Sequence, residues 1–190
     1  NIYFSCRYCL PANTENISAL SLVTGLTIID VLKKYCQNLQ IKWPNDIYWQ
    51  NKKLAGILIE SNHVKNNCIN LTIGIGINVN SDLHLQADKP WISLFDINQQ
   101  KYDRNVIIAS LIAKLDQNLH RLIKNSFQIF QQQWQQHDYL FAKELLITNA
   151  DQQISGTCFG VNSNGNLILT TKNGAKTYIN CGEASIKKML

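Results

Sequence analysis

The chain contains no apolar run of about 18 residues, the length a helix needs to cross a bilayer, and so no helical membrane span is expected. It also lacks the positively charged segment and cleavage site of a secretory signal. Asn1 opens directly into the strand-like stretch Ile2-Tyr3-Phe4-Ser5-Cys6, and the chain is expected to begin inside a longer protein. No GxxxxGKS/T phosphate loop, HExxH zinc helix or GxSxG elbow occurs, which sets aside the enzyme classes built on them. An SxxK match at Ser185-Ile186-Lys187-Lys188 lies at the end of a β-rich tail, a poor place for a nucleophile. No internal repeat is visible. Of the six cysteines, only Cys6 and Cys9 are close together. Residues three apart on a strand face opposite ways, and no second close pair completes a zinc site, so no metal site is expected. The irregular spacing of the others suggests reduced, cytosolic thiols.

What is present is a chain of 190 residues, 45% of them hydrophobic. This is enough for a real core, as one domain or as a medium domain with a small appendage. The formal charge of +5 is carried by scattered Lys and Arg. That pattern reads as a solvated surface; the sharper alternative is a basic patch for phosphate or nucleic acid.

Residues 2–9 read as a strand, and 18–35 as a helix with Leu22, Leu26, Ile29 and Leu32 on its apolar stripe. A short strand at 39–43 stops at Pro44. Residues 47–50 and 53–60 form a hairpin candidate around Asn51-Lys52, and strict alternation over 69–79 gives a further strand. Residues 81–89 are loop-like. Asp103 caps a helix running to 124, and another covers 127–140. From Glu144 short strands alternate with turns at Asn162-Ser163-Asn164-Gly165 and Lys172-Asn173-Gly174. The fold class is therefore α+β: a mixed or antiparallel sheet with helices packed on one face, then a small β-barrel.

Two segments invite a chemical reading. In Lys42-Trp43-Pro44-Asn45-Asp46, Lys42 alternates with Ile41 and Trp43 and so points away from the layer they face. A lysine aimed into a sheet-lined cleft needs a counter-charge, which a phosphate or carboxylate ligand supplies; the plainer reading is a lysine reaching solvent at a strand end. In Gly74-Ile75-Gly76-Ile77-Asn78, both glycines and Asn78 share one strand face. A face without side chains lets a flat ligand approach the backbone; the plainer reading is a helix packed over it. A GxG on a strand, not leading into a helix, argues against a dinucleotide-binding turn.

These motifs, together with Lys53-Leu54-Ala55-Gly56-Ile57-Leu58-Ile59-Glu60 between them, closely resemble the catalytic domain of biotin protein ligases in order and spacing. Asn1 to Ser5, the segment Leu20-Ser21-Leu22-Val23-Thr24-Gly25 and the stretch Trp91-Ile92-Ser93-Leu94 are similar to the same family. Phe159-Gly160 and Gly182-Glu183 fit its C-terminal SH3-like barrel. The resemblance implies a class II synthetase-like core at 1–142 and the barrel at 143–190. It implies a cytoplasmic enzyme that activates biotin with ATP and Mg²⁺ and passes it to a lysine of a biotin carboxyl carrier protein. By the same resemblance Lys42 contacts the biotin carboxylate and the α-phosphate region as the catalytic residue, and Gly56, Gly74 and Gly76 wall the biotin. Asn45, Asn78, Trp91 and Lys187 fall on the ATP side. No metal ligand is implied, and Asp46 braces the turn. A homodimer formed by pairing sheets is a further implication.

One departure counts. The family's Gly/Arg-rich loop and its upstream Ser/Thr and Gln contacts have no counterpart here, so this stretch alone is expected to show weak or no ligase activity. Three other readings stand beside the ligase. A repressor would need an upstream helix-turn-helix that binds DNA. A binding module would bind biotin and ATP without releasing pyrophosphate. A lipoate-type ligase would prefer lipoate in competition.

Overall fold

The computed structural model describes residues 1–12, 14, 19–61, 67–81, 90–149, 152–180 and 183–186. The alternation read in the sequence forms the centre of the first sheet. Strand β1 (Ile2–Pro11) pairs antiparallel with β5 (Cys68–Ile77) along its whole length, from Ile2 opposite Ile77 to Pro11 opposite Cys68. β5 also pairs with β4 (Lys52–Ser61), which pairs with β3 (Asp46–Trp49) and so with the short β2 (Gln40–Lys42). The five strands lie in the order β1-β5-β4-β3-β2 and are all antiparallel. The hairpin turn falls one residue earlier than expected. Gln50 and Asn51 both take positive φ, 45° and 64°, and their left-handed pair reverses the chain, so that Lys52 already belongs to β4.

One face of this sheet is covered by helices. Helix α1 (Ala19–Leu32) is buried on every side except at Ser21 and Asp30, so burial extends well beyond the apolar stripe read in the sequence and the helix is a central one. Thr24 and Thr27 stay satisfied there by donating to the carbonyls of Leu20 and Val23, one turn back. Fully burying each leucine of such a helix contributes roughly 2 kcal/mol. Helix α2 (Leu94–Asn98) starts in a capping box, with Ser93 and Asp96 bonding reciprocally. Helix α3 (Arg104–Asn125), N-capped by Asp103, packs Ile107, Leu111, Leu115, Leu119 and Leu122 inward. Asn118 donates to Thr27 Oγ1 at 2.9 Å, joining α3 to α1.

The predicted helix over 127–140 divides into a 3-10 turn, Phe127–Phe130, and α4 (Gln131–His137). It ends early because Asp138 leaves to bridge Ile41 and Tyr139 N–H donates to the Ile41 carbonyl at 3.0 Å. Beyond it, β6 (Glu144–Asn149), β7 (Gln152–Val161), β8 (Leu167–Thr170), β9 (Lys176–Ile179) and β10 (Glu183–Ile186) form a second antiparallel sheet, ordered β10-β6-β7-β8-β9. Both expected turns are present, with Gly165 at φ 80° and Gly174 at φ 79°.

One expectation is corrected. Cys9 and Cys68 are joined as a disulfide, so the thiols are not all reduced. The register places Cys9 diagonally across from Cys68, with Cα atoms 5.8 Å apart, although 59 positions separate them in the chain. Cys6, Cys36 and Cys158 are free. Among the described residues no helix is long and apolar enough to cross a membrane.

Candidate active site

Directly paired residues point to the same face of a sheet, so register alone defines the surface opposite the helices. One row across it reads Lys42, Asp46, Gly56, Gly76, Tyr3. The next reads Leu58, Gly74, Ser5. On β5 the isoleucines at 73, 75 and 77 face the helices and are buried, while Gly74 and Gly76 leave the other face bare. An open groove of about 330 Å³ lies over that bare floor, lined among others by Tyr3, Ser5, Asn45, Asp46, Lys53 and Gly56.

Lys53 reaches the groove through a fault in the ladder. Ile47 opposes Ala55, but Tyr48 opposes Lys53, so β4 holds one extra residue, Leu54. This β-bulge shifts the side-chain parity. Leu54 and Ala55 are both buried in succession, and Lys53 is turned onto the face of Gly56. Its Nζ lies 2.7 Å from Asp46 Oδ1, over the position where any Cβ on Gly56 would meet it at 3.1 Å. The Lys53 side chain is 40% exposed and that of Asp46 19%, so the ammonium is held at the groove surface and is open to a ligand.

Asn45 locks the rim. Its side-chain amide donates to the Ile57 carbonyl at 2.8 Å, and its own carbonyl accepts from Ile57 N–H at 2.9 Å. Asn78 acts behind the groove. Its amide donates to the carbonyls of Ile92, at 3.2 Å, and Lys53, at 3.5 Å. Trp91 bridges Lys53 in the backbone, and the bonds Lys53 N–H to Pro90 O and Ile92 N–H to Lys53 O flank that bridge. Asn78 and the 90–92 segment thus fix the backbone from which Lys53 projects.

Of the residues singled out in the sequence, the structure brings Asn45, Gly56, Gly74 and Gly76 together in the groove lining, but not Lys42, Asn78 or Trp91. Lys42 does stand on the expected face, but one strand beyond Asp46, with its Nζ 5.6 Å from the centre of the Tyr48 ring. Lys187 lies outside the described residues. Sequence reasoning missed Lys53, because strict alternation sets it on the face opposite Gly56 and nothing in the composition announces the extra residue. It also missed Tyr3 and Ser5, whose row partners are the two glycines.

Burial shifts a cluster of groups where the two sheets meet. The Asp138 carboxyl, 8% exposed, is raised by desolvation, only partly offset by the Leu140 N–H it accepts. Burial lowers the Lys143 ammonium and pushes the Cys158 thiol up to about 12.

Known proteins are similar to this chain in sequence and fold. Residues 7–78 match the Biotin/lipoate A/B protein ligase family. The bifunctional ligase/repressor BirA of Salmonella typhimurium is 30% identical over 193 residues, covering 98% of this chain and 59% of that protein. The apo biotin protein ligase of Aquifex aeolicus superposes with a TM-score of 0.82 at 26% identity, over 98% of this chain and 82% of that one. The chain is similar to members of the biotin/lipoate protein ligase family. A structure of the Aquifex aeolicus enzyme in complex with biotin and ATP matches at a TM-score of 0.81 and 25% identity, over 98% of this chain and 79% of that one. This chain spans 59% of the Salmonella protein's length.

Proposed function

We propose that this chain serves, within the intact protein, in ATP-dependent activation of biotin and its transfer to a lysine of a carrier protein, with 1–142 as catalytic unit and 143–190 as C-terminal unit. The observation that carries the reading is the Lys53 ammonium, held by Asp46 over a floor of Gly56, Gly74 and Gly76. Such a floor accepts a flat bicyclic ring, and the ammonium neutralises the carboxylate at the end of its tail. In the first step a biotin carboxylate oxygen attacks the α-phosphorus of ATP, and the bond to pyrophosphate breaks. In the second a lysine amine attacks the acyl carbon of biotinyl-AMP, and AMP leaves. The chain's part is to hold two anions side by side and to offset charge on the phosphoryl oxygens.

Asn45 and Asp46 supply the rim toward ATP, and Asn78, Trp91 and Lys187 belong to the nucleotide side. Among the described residues no group of three or more His, Cys, Asp or Glu converges on a metal site. Asp46 is the carboxylate among the lining residues, and Lys53 engages one of its oxygens. That suits a magnesium ion held mainly by ATP phosphates, with Asp46 the residue to contact it. Magnesium supplies charge neutralisation when bound.

The carrier is an acetyl-CoA carboxylase subunit, and the setting is cytoplasmic. A homodimer by strand pairing would use an edge of the first sheet, β1 or β2. The bifunctional name of the Salmonella relative favours one second reading, a ligase that also represses transcription through an upstream DNA-binding segment. Lipoate shares the reaction type, and competition of lipoate against biotin separates the two acids.

The test replaces each lysine in the intact protein. Lys53→Ala should slow biotin-dependent pyrophosphate release by more than about a hundredfold, the loss of about 3 kcal/mol typical of one preorganised donor. Lys42→Ala, in the same row beside Asp46, should also slow it, as the role expected from the sequence requires. Release by Lys53→Ala at the normal rate would overturn this reading, and collapse with Lys42→Ala alone would return the role to Lys42.

A further inference from the structure

The groove and the second sheet are joined by a short chain of contacts. Trp43, 2% exposed, donates its indole N–H to the carbonyl of Gly165 at 3.2 Å. Gly165 sits in the turn between β7 and β8, at φ 80°, pressed against the first turn of α1. A Cβ there would lie 3.1 Å from Ala19 Cα and 3.1 Å from Leu22 Cδ1. The turn is internally braced, since Asn162 Oδ1 accepts from the N–H groups of Asn164 and Asn166, each at 2.9 Å. From Trp43 the chain runs through Pro44, whose carbonyl accepts from Ser21 Oγ at 2.9 Å, into Asn45 and Asp46. Those two residues clamp Ile57 and hold Lys53.

We propose that Trp43 and the 162–165 turn are positioning residues for the groove: the second sheet sets the placement of Asn45 and Asp46, and through them of the Lys53 ammonium. Three anchors converge on residues 43–45: the Gly165 carbonyl, the Ser21 hydroxyl and the Ile57 backbone. Only the first comes from the second sheet. If it is lost, the rim is held from the first sheet and α1 alone, and the ammonium samples a wider range of positions. This inference rests on the ligase reading for its kinetic consequence, but not for its structural one.

The experiment uses the intact protein with three variants. Trp43→Phe keeps an aromatic ring but removes the N–H donor, Asn162→Ala loosens the turn, and Lys172→Ala is a control elsewhere on the second sheet. At a temperature where circular dichroism shows each variant folded, KM for biotin in pyrophosphate release should rise about tenfold in Trp43→Phe, the scale of one lost hydrogen bond. It should rise in Asn162→Ala, and the double variant should be no worse than the worse single one, because both act through one contact. Lys172→Ala should match the parent. A fall in thermal midpoint with KM and kcat of the folded protein unchanged, or additive effects in the double variant, would overturn the proposal.

Amide hydrogen exchange supplies a readout free of substrate. The Ile57 N–H should exchange about tenfold faster in Trp43→Phe and in Asn162→Ala. If the parent releases no pyrophosphate with biotin, the ligase reading falls, and exchange alone decides this one. Unchanged exchange overturns it. If Trp43→Phe does not fold, Asn162→Ala decides by the same measures.

Discussion

A single methyl group separates the two jobs a glycine can do at this site. At Gly76 an added Cβ would have the Gly56 carbonyl oxygen at 4.0 Å as its nearest neighbour, so the fold has room for alanine. The ligand does not, because that methyl would stand on the groove floor. Gly76→Ala should therefore leave the melting temperature unchanged or slightly raised, while equilibrium titration shows biotin binding weakened about tenfold or more. At Gly56 the added methyl instead meets Lys53 Cε and Nζ at 3.1 Å. The glycines were legible in the sequence because two bare positions two apart on a strand need a reason. Lys53 was not, since its direction depends on a pairing irregularity between two strands. Lys42 shows the converse. Alternation set it on the open face, where it stands directly beside Asp46 at the edge of the groove.

Among the elements, α3 was read most directly, because its cap and its apolar spacing are both local. Asp103 accepts from Asn105 N–H at 2.8 Å, as an N-cap should. Asp103→Ala should cost about 1 kcal/mol and lower the thermal midpoint by about 3 °C for a chain of this size, measured by calorimetry. The helix over 127–140 was read as too long because its end is set by the remote carbonyl of Ile41. The disulfide was hidden for a similar reason. Cys9 and Cys68 become neighbours only through the β1–β5 register, which a spacing rule does not contain.

For the whole molecule, the junction of the two sheets is where stability and pH meet. Desolvation raises the Asp138 carboxyl above its ordinary 3.8. Between that value and the raised one, the folded state keeps a proton that the unfolded chain releases. Stability therefore falls as pH climbs through this window, and levels off above it. Asp138→Asn keeps Oδ1 as the acceptor for Leu140 N–H, at 2.8 Å, and cannot ionise. Thermal midpoints followed from about pH 3.5 to about pH 7 should lose this downward slope in the variant; an unchanged slope would assign it to other groups.

The extra residue in β4 carries a consequence for how such a chain can vary. Swapping Leu54 for another apolar residue keeps the count of residues between the hairpin and Gly56, and so keeps the amine where it is. Deleting it removes the bulge and leaves Lys53 two positions before Gly56, so regular alternation keeps the amine on the open face. Drift at position 54 should thus tolerate both replacement and loss, whereas one further residue inserted beside it should turn the amine to the covered face and yield inactive clones even when they fold.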